Sequence, residues 1–421
     1  MRFREFHPNV KLRIIIGFFS GIVGSMIFPF MTIYFADHFG AKLTGILLIL
    51  NILVGVLVGF YGGYLSDVMG RKKLMVIAEV MMSFVLIIGT LANSPWFTSP
   101  ILTFFMFLMG SVCWGIEGPA TDAMFIDISK PEERKSMYAI MYWSSNLSVA
   151  VGGAVGAFLF EKYLFQLLLA MAIISVLTTI AVIFFIEESY VPPEHMKEKH
   201  KETKILTNIF QSYKTVATDK LFILFVIAGL FVQSLEFQLT EYIAVRLHKS
   251  MPTQHVLFWS MDGLKMTGIL RTENTLLVVL LAALIAKIIQ KYKDKNVFLI
   301  SIVLFTIGYT SISYFNNVWI LLAAMVISTV GELMRVPVQQ NYLASIPPDD
   351  KRSSYMAVNA FTYQGASILA SISVTLGAYL SKGEMSVFLL ITGLIGFLLI
   401  QKIIPGLESR AKAHQQEESV S

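Results

Sequence analysis

The chain has 421 residues, 55% of them hydrophobic and 14% charged, with a mean hydropathy of +0.67. That is more apolar surface than one soluble core can hide, so a bilayer is the expected solvent. The net charge of +5 makes no case for nucleic acid, because the basic residues sit in short clusters between apolar runs, and the single cysteine, Cys113, excludes a disulfide framework and a thiolate metal site.

A membrane helix needs about 20 apolar residues. Windows of that length predict six spans at 12–36, 43–65, 73–93, 99–127, 135–160 and 164–187. Six more follow at 220–245, 265–289, 297–316, 318–344, 353–381 and 385–404. The first apolar run, from Ile14, is too long for a signal-peptide core and has no small-residue cleavage site, so it is expected to remain as a span. Of the 33 lysines and arginines, 25 fall on the side of the N-terminus, the C-terminal tail and alternate loops. The positive-inside rule then places both termini in the cytoplasm of a multi-pass cell-membrane protein.

The expected organisation is a six-helix half at 1–187, a basic cytoplasmic linker at 188–219, a second six-helix half at 220–404 and a cytoplasmic tail at 405–421. Apolar residues at helical spacing allow a surface helix over Ile205–Val216 in the linker. The halves resemble each other. Leu43-Thr44-Gly45-Ile46-Leu47 and Asn51 recur 223 positions later as Met266-Thr267-Gly268-Ile269-Leu270 and Asn274, and Lys72 recurs as Lys295. Farther on, Pro119 matches Pro337 and Arg134 matches Arg352 at an offset of 218. Two homologous halves are a known architecture of secondary transporters, with the substrate path near the midplane between them.

The most informative segment runs Gly63-Tyr64-Leu65-Ser66-Asp67-Val68-Met69-Gly70-Arg71-Lys72-Lys73, a charged turn between spans two and three. Gly55, Gly59 and Gly63 form an i, i+4, i+8 stripe that allows close helix approach, and Gly70 permits a turn that a side chain would obstruct. Asp67 and Arg71 are placed at the membrane surface, with Asp127 at the end of span four as the expected partner of Arg71. One reading is a latch of Gly63, Asp67, Gly70, Arg71, Lys72 and Asp127 that forms in one conformation and breaks in another; the other is a topology determinant with ordinary surface charges. In the second half Gln290 replaces the aspartate and Asp294 the arginine, so the latch is one-sided.

This segment fits the loop motif G-x-L-x-D-x-x-G-R-K of the major facilitator superfamily at Gly63, Leu65, Asp67, Gly70, Arg71 and Lys72. Over nearly the whole chain the sequence also resembles the drug:proton antiporters grouped with LmrP. The resemblance rests on Leu43–Leu47, Asp122–Asp127, Tyr142–Val149, Asn208–Val216 and Gly331-Glu332 ahead of Pro337. It implies an all-α membrane protein of twelve transmembrane helices in two pseudo-symmetric six-helix halves, with spans four, seven and ten facing a central cavity. Two departures stand out. Met141 occupies a position where that group has an aspartate, and the Gly-Pro-rich motif of span five is reduced to Gly152-Gly153-Ala154-Val155-Gly156.

An ionisable side chain at mid-membrane costs about 2.5 to 3.5 kcal/mol on insertion scales, so each is a functional candidate. Glu117, Glu236, Glu332 and Arg335 lie inside predicted spans four, seven and ten. By resemblance Glu332 coincides with a membrane carboxylate of the LmrP group; in span seven a gapless match lands on Thr240 beside Glu241, leaving Glu236 and Glu241 both open. A buried carboxylate can hold a proton and, once ionised, attract a cation, so the two ligands can exclude each other. Alternatively, neighbouring hydroxyls or Arg335 satisfy Glu332 structurally. Glu117 and Arg335 are 218 positions apart, the repeat offset, so they either meet across the cavity or pair locally. Arg271, Glu273 and Glu79 are read as structural or rim charges that snorkel.

Polar stripes on spans five (Tyr138, Tyr142, Asn146) and eleven (Asn359, Tyr363, Ser367) should face protein or a wet cavity, so Tyr142, Asn146, Asn359 and Tyr363 are candidate lining residues. The 21 methionines offer adaptable packing, most of it filler or lipid-facing. No His-Glu-x-x-His, Gly-x-Ser-x-Gly or P-loop occurs, so enzyme chemistry and direct use of ATP are not expected. The leading expectation is export of amphiphilic, mostly cationic compounds in exchange for protons. The alternatives are a transporter of one specific solute and a non-transporting receptor or scaffold. The expected partners are a small-molecule substrate, protons and the bilayer, for a monomeric chain with no cofactor, no metal and no nucleic acid.

Overall fold

The computed structural model describes residues 6–129, 131–190, 216–256, 259–347 and 352–420. The chain divides into two compact units, Met1–His200 and Lys201–Ser421. The boundary falls within the predicted linker, where residues 205–215 of the expected surface helix lie outside the described residues.

In the first unit α1 runs Pro8–Met69 and carries spans one and two. At about 1.5 Å per residue such a helix is roughly 90 Å long, far beyond a bilayer core of about 30 Å, so it must break. It does so at Gly40, whose φ of 77° and ψ of 154° are non-helical. Pro8 at the first turn and His7, whose ring accepts the Asn9 N–H, start the helix. Span three is α2 (Arg71–Leu91), and a two-residue hairpin, β1 (Asn93–Ser94) against β2 (Phe97–Thr98), leads to α3 (Pro100–Ile128), span four. Ser99 caps α3 by accepting the Leu102 N–H at 3.3 Å. Spans five and six are α4 (Pro131–Phe185), broken at Tyr163.

The second unit opens with span seven in two pieces, α5 (Lys220–Phe237) and α6 (Tyr242–Ser250), separated by a turn. A hairpin of β3 (Gln254–Val256) and β4 (Trp259–Met261) connects to α7 (Gly263–Ile289), span eight, which Asp262 caps through the Lys265 N–H. Then follow α8 (Asp294–Tyr314), α9 (Val318–Ser345), α10 (Arg352–Leu376) and α11 (Lys382–Val420), spans nine to twelve. Nine helices among the described residues are long and apolar enough to cross a membrane, and two of them are the double-length α1 and α4. Helix α10 is not among the nine; Tyr355, Asn359, Thr362, Tyr363 and Gln364 lower its hydropathy. The architecture is therefore the expected all-helical, multi-span one. The last helix, α11, continues through Pro405 to Val420, into the segment expected to form the tail.

Glycines set the close helix contacts. A Cβ on Gly62 would meet the Gly115 carbonyl oxygen at 2.3 Å, so spans two and four touch backbone to backbone there. The predicted Gly55, Gly59, Gly63 stripe is corrected in part: Gly59 has nothing within 4 Å of such a Cβ, and Gly63 only Pro119 at 3.9 Å. The contact belongs to Gly62, one residue round the helix, while Gly115 presses on the Gly55 and Gly59 backbone. Gly152 and Gly156 bring span five onto Ile22 and Met26 of span one, as the small-residue surface of that segment suggested.

Candidate functional site

At the end of the first unit that bears the Arg71-Lys72-Lys73 cluster, Arg71 is buried and its Nε lies 3.2 Å from Asp127 Oδ2. Its Nη1 donates to Ser66 Oγ at 3.2 Å, and its guanidinium stacks 4.2 Å from the Tyr190 ring centre. The sequence pairing of Arg71 with Asp127 is thus present, whereas the Asp67 side chain lies outside the described ones. Gly70 has φ 92° and ψ 155°, a conformation confined to glycine, and offers α2 no side-chain cap. Glu188 supplies the missing cap. Its carboxylate accepts the Arg71 N–H at 2.9 Å and the Lys72 N–H at 3.1 Å, and also the N–H groups of Ser189 and Tyr190. A Cβ on Gly70 would stand 2.7 Å from Glu188 Oε2, so the glycine also makes room for this cap. Sequence reading assigned Glu188 to the linker; the available signal was only an acidic pair, Glu187-Glu188, at the end of span six. Asn9 holds that stretch in place, exchanging two hydrogen bonds with the Glu187 backbone.

Deeper in the same unit, Glu117 meets Arg13 of span one, Nη2 to Oε1 at 2.5 Å. Arg13 Nη1 also reaches Glu79 Oε1 at 3.3 Å, and Nη2 reaches Thr121 Oγ1 at 3.2 Å. Glu79 is therefore no snorkelling rim charge: it is the ninth residue of α2 and 6% exposed. Arg13 was missed as a site residue, although a cation inside predicted span 12–36 needs a counter-charge.

In the second unit Glu332 accepts from Asn274 Nδ2 at 2.8 Å, and the same amide reaches Thr329 Oγ1 at 3.0 Å. This repeats the first unit, where Ser111 donates to Asn51 at 2.9 Å. Asn51 and Asn274 are repeat equivalents, and Ser111 and Thr329 are 218 positions apart. Arg335, 3% exposed, donates to Gln339 at 2.6 Å and Gln233 at 3.1 Å, and its Nη2 lies 4.0 Å from Glu236. Glu236 also accepts from Gln233 at 2.7 Å and interacts electrostatically with Glu332. Glu117 and Arg335 thus each find partners inside their own unit. Glu236 and Glu241 flank the break in span seven; Glu236 is the acid brought to Arg335, while Glu241 immediately precedes α6. Glu273, read as a structural or rim charge, has its Oε2 buried without a hydrogen-bond partner among the described residues.

The candidate lining residues are less convergent. Tyr142 and Tyr363 are both exposed on their own units, and Phe237 packs edge-on against Tyr363. The Asn146 amide is turned back onto the Tyr142 carbonyl at 2.8 Å. Asn359 lies 3.5 Å from Thr362 Oγ1.

Two bundles of membrane-length helices, each with ionisable side chains inside it, are the architecture of a multi-pass membrane protein and are in keeping with a transporter. The sequence profile of the Major Facilitator Superfamily matches residues 14–270 and 260–420, and the chain belongs to that family. Among curated relatives, a Na(+), Li(+), K(+)/H(+) antiporter of Planococcus maritimus is 35% identical over 395 residues, covering 91% of this chain and 92% of the relative. The multidrug resistance protein MdtH of Blochmanniella floridana is 23% identical over 354 residues, covering 82% and 79%. Among solved structures, a POT family transporter in complex with 5-aminolevulinic acid superposes with a TM-score of 0.74 at 16% identity, over 97% of this chain and 100% of that one. The nucleoside transporter NupG (D323A mutant) gives 0.72 at 14%, over 95% and 99%. At such identities the structures speak to the fold alone.

Proposed function

We propose that this protein is a secondary antiporter that exchanges protons for cations by alternating access, with Glu332 as the group at which the two compete. The observation that carries the reading is the half-buried Glu332 carboxylate, held by Asn274, whose amide also reaches Thr329, in the same unit as the Glu236–Arg335 pair. Two acids near one arginine leave a negative charge that a proton or a cation can neutralise. A carboxylate that can lose its proton also attracts a cation, in keeping with the name of the Planococcus relative.

The sequence expectation of amphiphilic organic cations is the second reading. It is favoured by the MdtH relatives and by the exposed aromatic residues Tyr142 and Tyr363. Resemblance to LmrP points the same way. In either case Glu332 and Glu236 are the coupling groups, Arg335 sets their charge, and the Arg71–Asp127 contact is the conformational latch at the cytoplasmic face. In this reading both termini lie on that face of the cell membrane, as the distribution of basic residues suggests.

The test is proton movement in liposomes containing the purified protein under an imposed pH gradient, read by a lumenal pH dye. Addition of Na+, Li+, K+ or a panel of cationic dyes should release protons for the cation class that is carried, and Glu332→Gln should reduce the response at least tenfold. Proton release by no cation of either class, in protein that is folded and correctly inserted, would sink the proposal.

A further inference from the structure

The first unit contains a second cluster of buried charge that the reading above does not use. Glu79 on α2 and Glu117 on α3 converge on one guanidinium, Arg13 on α1, at 3.3 and 2.5 Å. All three side chains are at most 14% exposed. Two ionised carboxylates on one arginine would leave a net negative charge inside the bundle, a costly state in a low-dielectric interior. The two carboxyl groups reach the two terminal nitrogens, Nη1 and Nη2, of the same guanidinium.

We propose that Arg13, Glu79 and Glu117 form a proton-binding site in the first unit, separate from Glu332, in which the two carboxyl groups share one proton. Glu79 makes the longer contact to Arg13 and is the less exposed of the two, so the proton is placed on Glu79. The surroundings agree with a single exchangeable charge. From α3 the cluster is also faced by the Cys113 thiol, and Asp122 interacts with Arg13 at longer range. From α1 it is faced by Arg13 itself. From α4 come hydroxyls: Thr179 donates to the Glu79 backbone carbonyl at 3.0 Å, and Ser175 and Thr179 bond Ser83. Thr121, one turn along α3 from Glu117, completes the guanidinium shell. The site is built from three spans of one unit, so it can load without the second.

The proposal is independent of which cation is carried, and its test needs no transport. Infrared difference spectra of the purified full-length protein, in a Glu332→Gln background, follow the carbonyl stretch of a protonated buried carboxyl as pH is raised. That background should show such a band titrating away. Glu79→Gln should abolish it, and so should Glu117→Gln, because one carboxylate facing one guanidinium is already balanced and keeps no proton. Arg13→Gln should move the loss of the band to higher pH, since removing the cation favours protonation. A band that survives either glutamine substitution, or that moves to lower pH in Arg13→Gln, overturns the proposal. A variant that does not fold is replaced by the corresponding alanine, with the same expected outcome. Cation exchange that survives Glu332→Gln, with this band intact, would count against Glu332 coupling and leave the first-unit site standing.

Discussion

Single side chains reach across long stretches of sequence to set the local charge balance. Glu188 caps a helix whose first residue is 117 positions away, and replacing such a cap typically costs about 0.5 to 2 kcal/mol. Glu188→Ala is expected to lower the melting temperature and loosen the Arg71–Asp127 pair, whereas Glu188→Gln, which keeps an acceptor, should lose less; thermal unfolding in detergent measures both. Asp219 is a second such point. It accepts the Phe222 N–H at the start of α5 and binds Arg410 in a two-pronged contact at 2.6 and 2.9 Å, while Tyr355 donates to it at 2.9 Å. Burial alone would raise the Asp219 carboxyl, but these donors outweigh it and hold it below the ordinary aspartate range. A group depressed in the folded state stabilises above its unfolded value of about 3.9 and loses that contribution as pH falls through the lower folded value. Melting temperature should therefore fall with acidification below about pH 4, and Asp219→Asn should flatten that part of the profile while lowering stability at neutral pH. An unchanged acid limb in the variant would refute this account.

At the scale of elements, the spans were legible because a bilayer demands a minimum apolar length, and the Gly63–Lys73 turn stood out because charge there interrupts two such runs. The repeat was legible too, and Asn51–Ser111 and Asn274–Thr329 show it preserved as contacts between neighbouring helices. What the sequence could not supply was rotational phase. Gly63 and Gly62 differ by about 100° around a helix, and only the packed structure shows which one faces span four. Partners distant in sequence were equally hidden: Arg13 and Glu117 are 104 positions apart, and no spacing rule joins a residue of span one to one of span four. The phase correction gives a sharp comparison. Gly62→Ala places a methyl against the Gly115 carbonyl and is expected to destabilise the first unit by about 1 to 3 kcal/mol, as overpacking does. Gly59→Ala meets open space and should be neutral or slightly stabilising, since alanine favours helix. Equal melting temperatures for the two variants would contradict the assigned helix phase.

For the whole molecule, the orientation inferred from basic loops becomes a labelling pattern. Cys113 is 1% exposed, so the native thiol should give little background with an impermeant maleimide. Cysteines introduced at Trp96 and Trp259, in the two hairpins, should label from outside intact cells. Cysteines at Lys73 and Lys291 should label only after permeabilisation. The reverse pattern would place the termini, the Arg71–Asp127 contact and the Asp219–Arg410 contact on the outer face. With the expected orientation, Arg13, Glu79 and Glu117 lie towards the inner end of their spans and would draw their proton from the cytoplasmic side.

Span two is bordered at both ends by the same unusual backbone. Gly40 and Gly70 have φ of 77° and 92° and ψ of 154° and 155°, a region that side chains enter only at a cost of about 1 to 3 kcal/mol. The two joints differ in surroundings: a Cβ on Gly40 meets nothing within 4 Å, while one on Gly70 meets Glu188. Substitution at the first is opposed by backbone conformation alone, and at the second by conformation and crowding together. The rod between residues 40 and 70 can thus accept apolar replacements away from its tight contact at Gly62, whereas the two joints that hang it in the bundle resist any side chain at all.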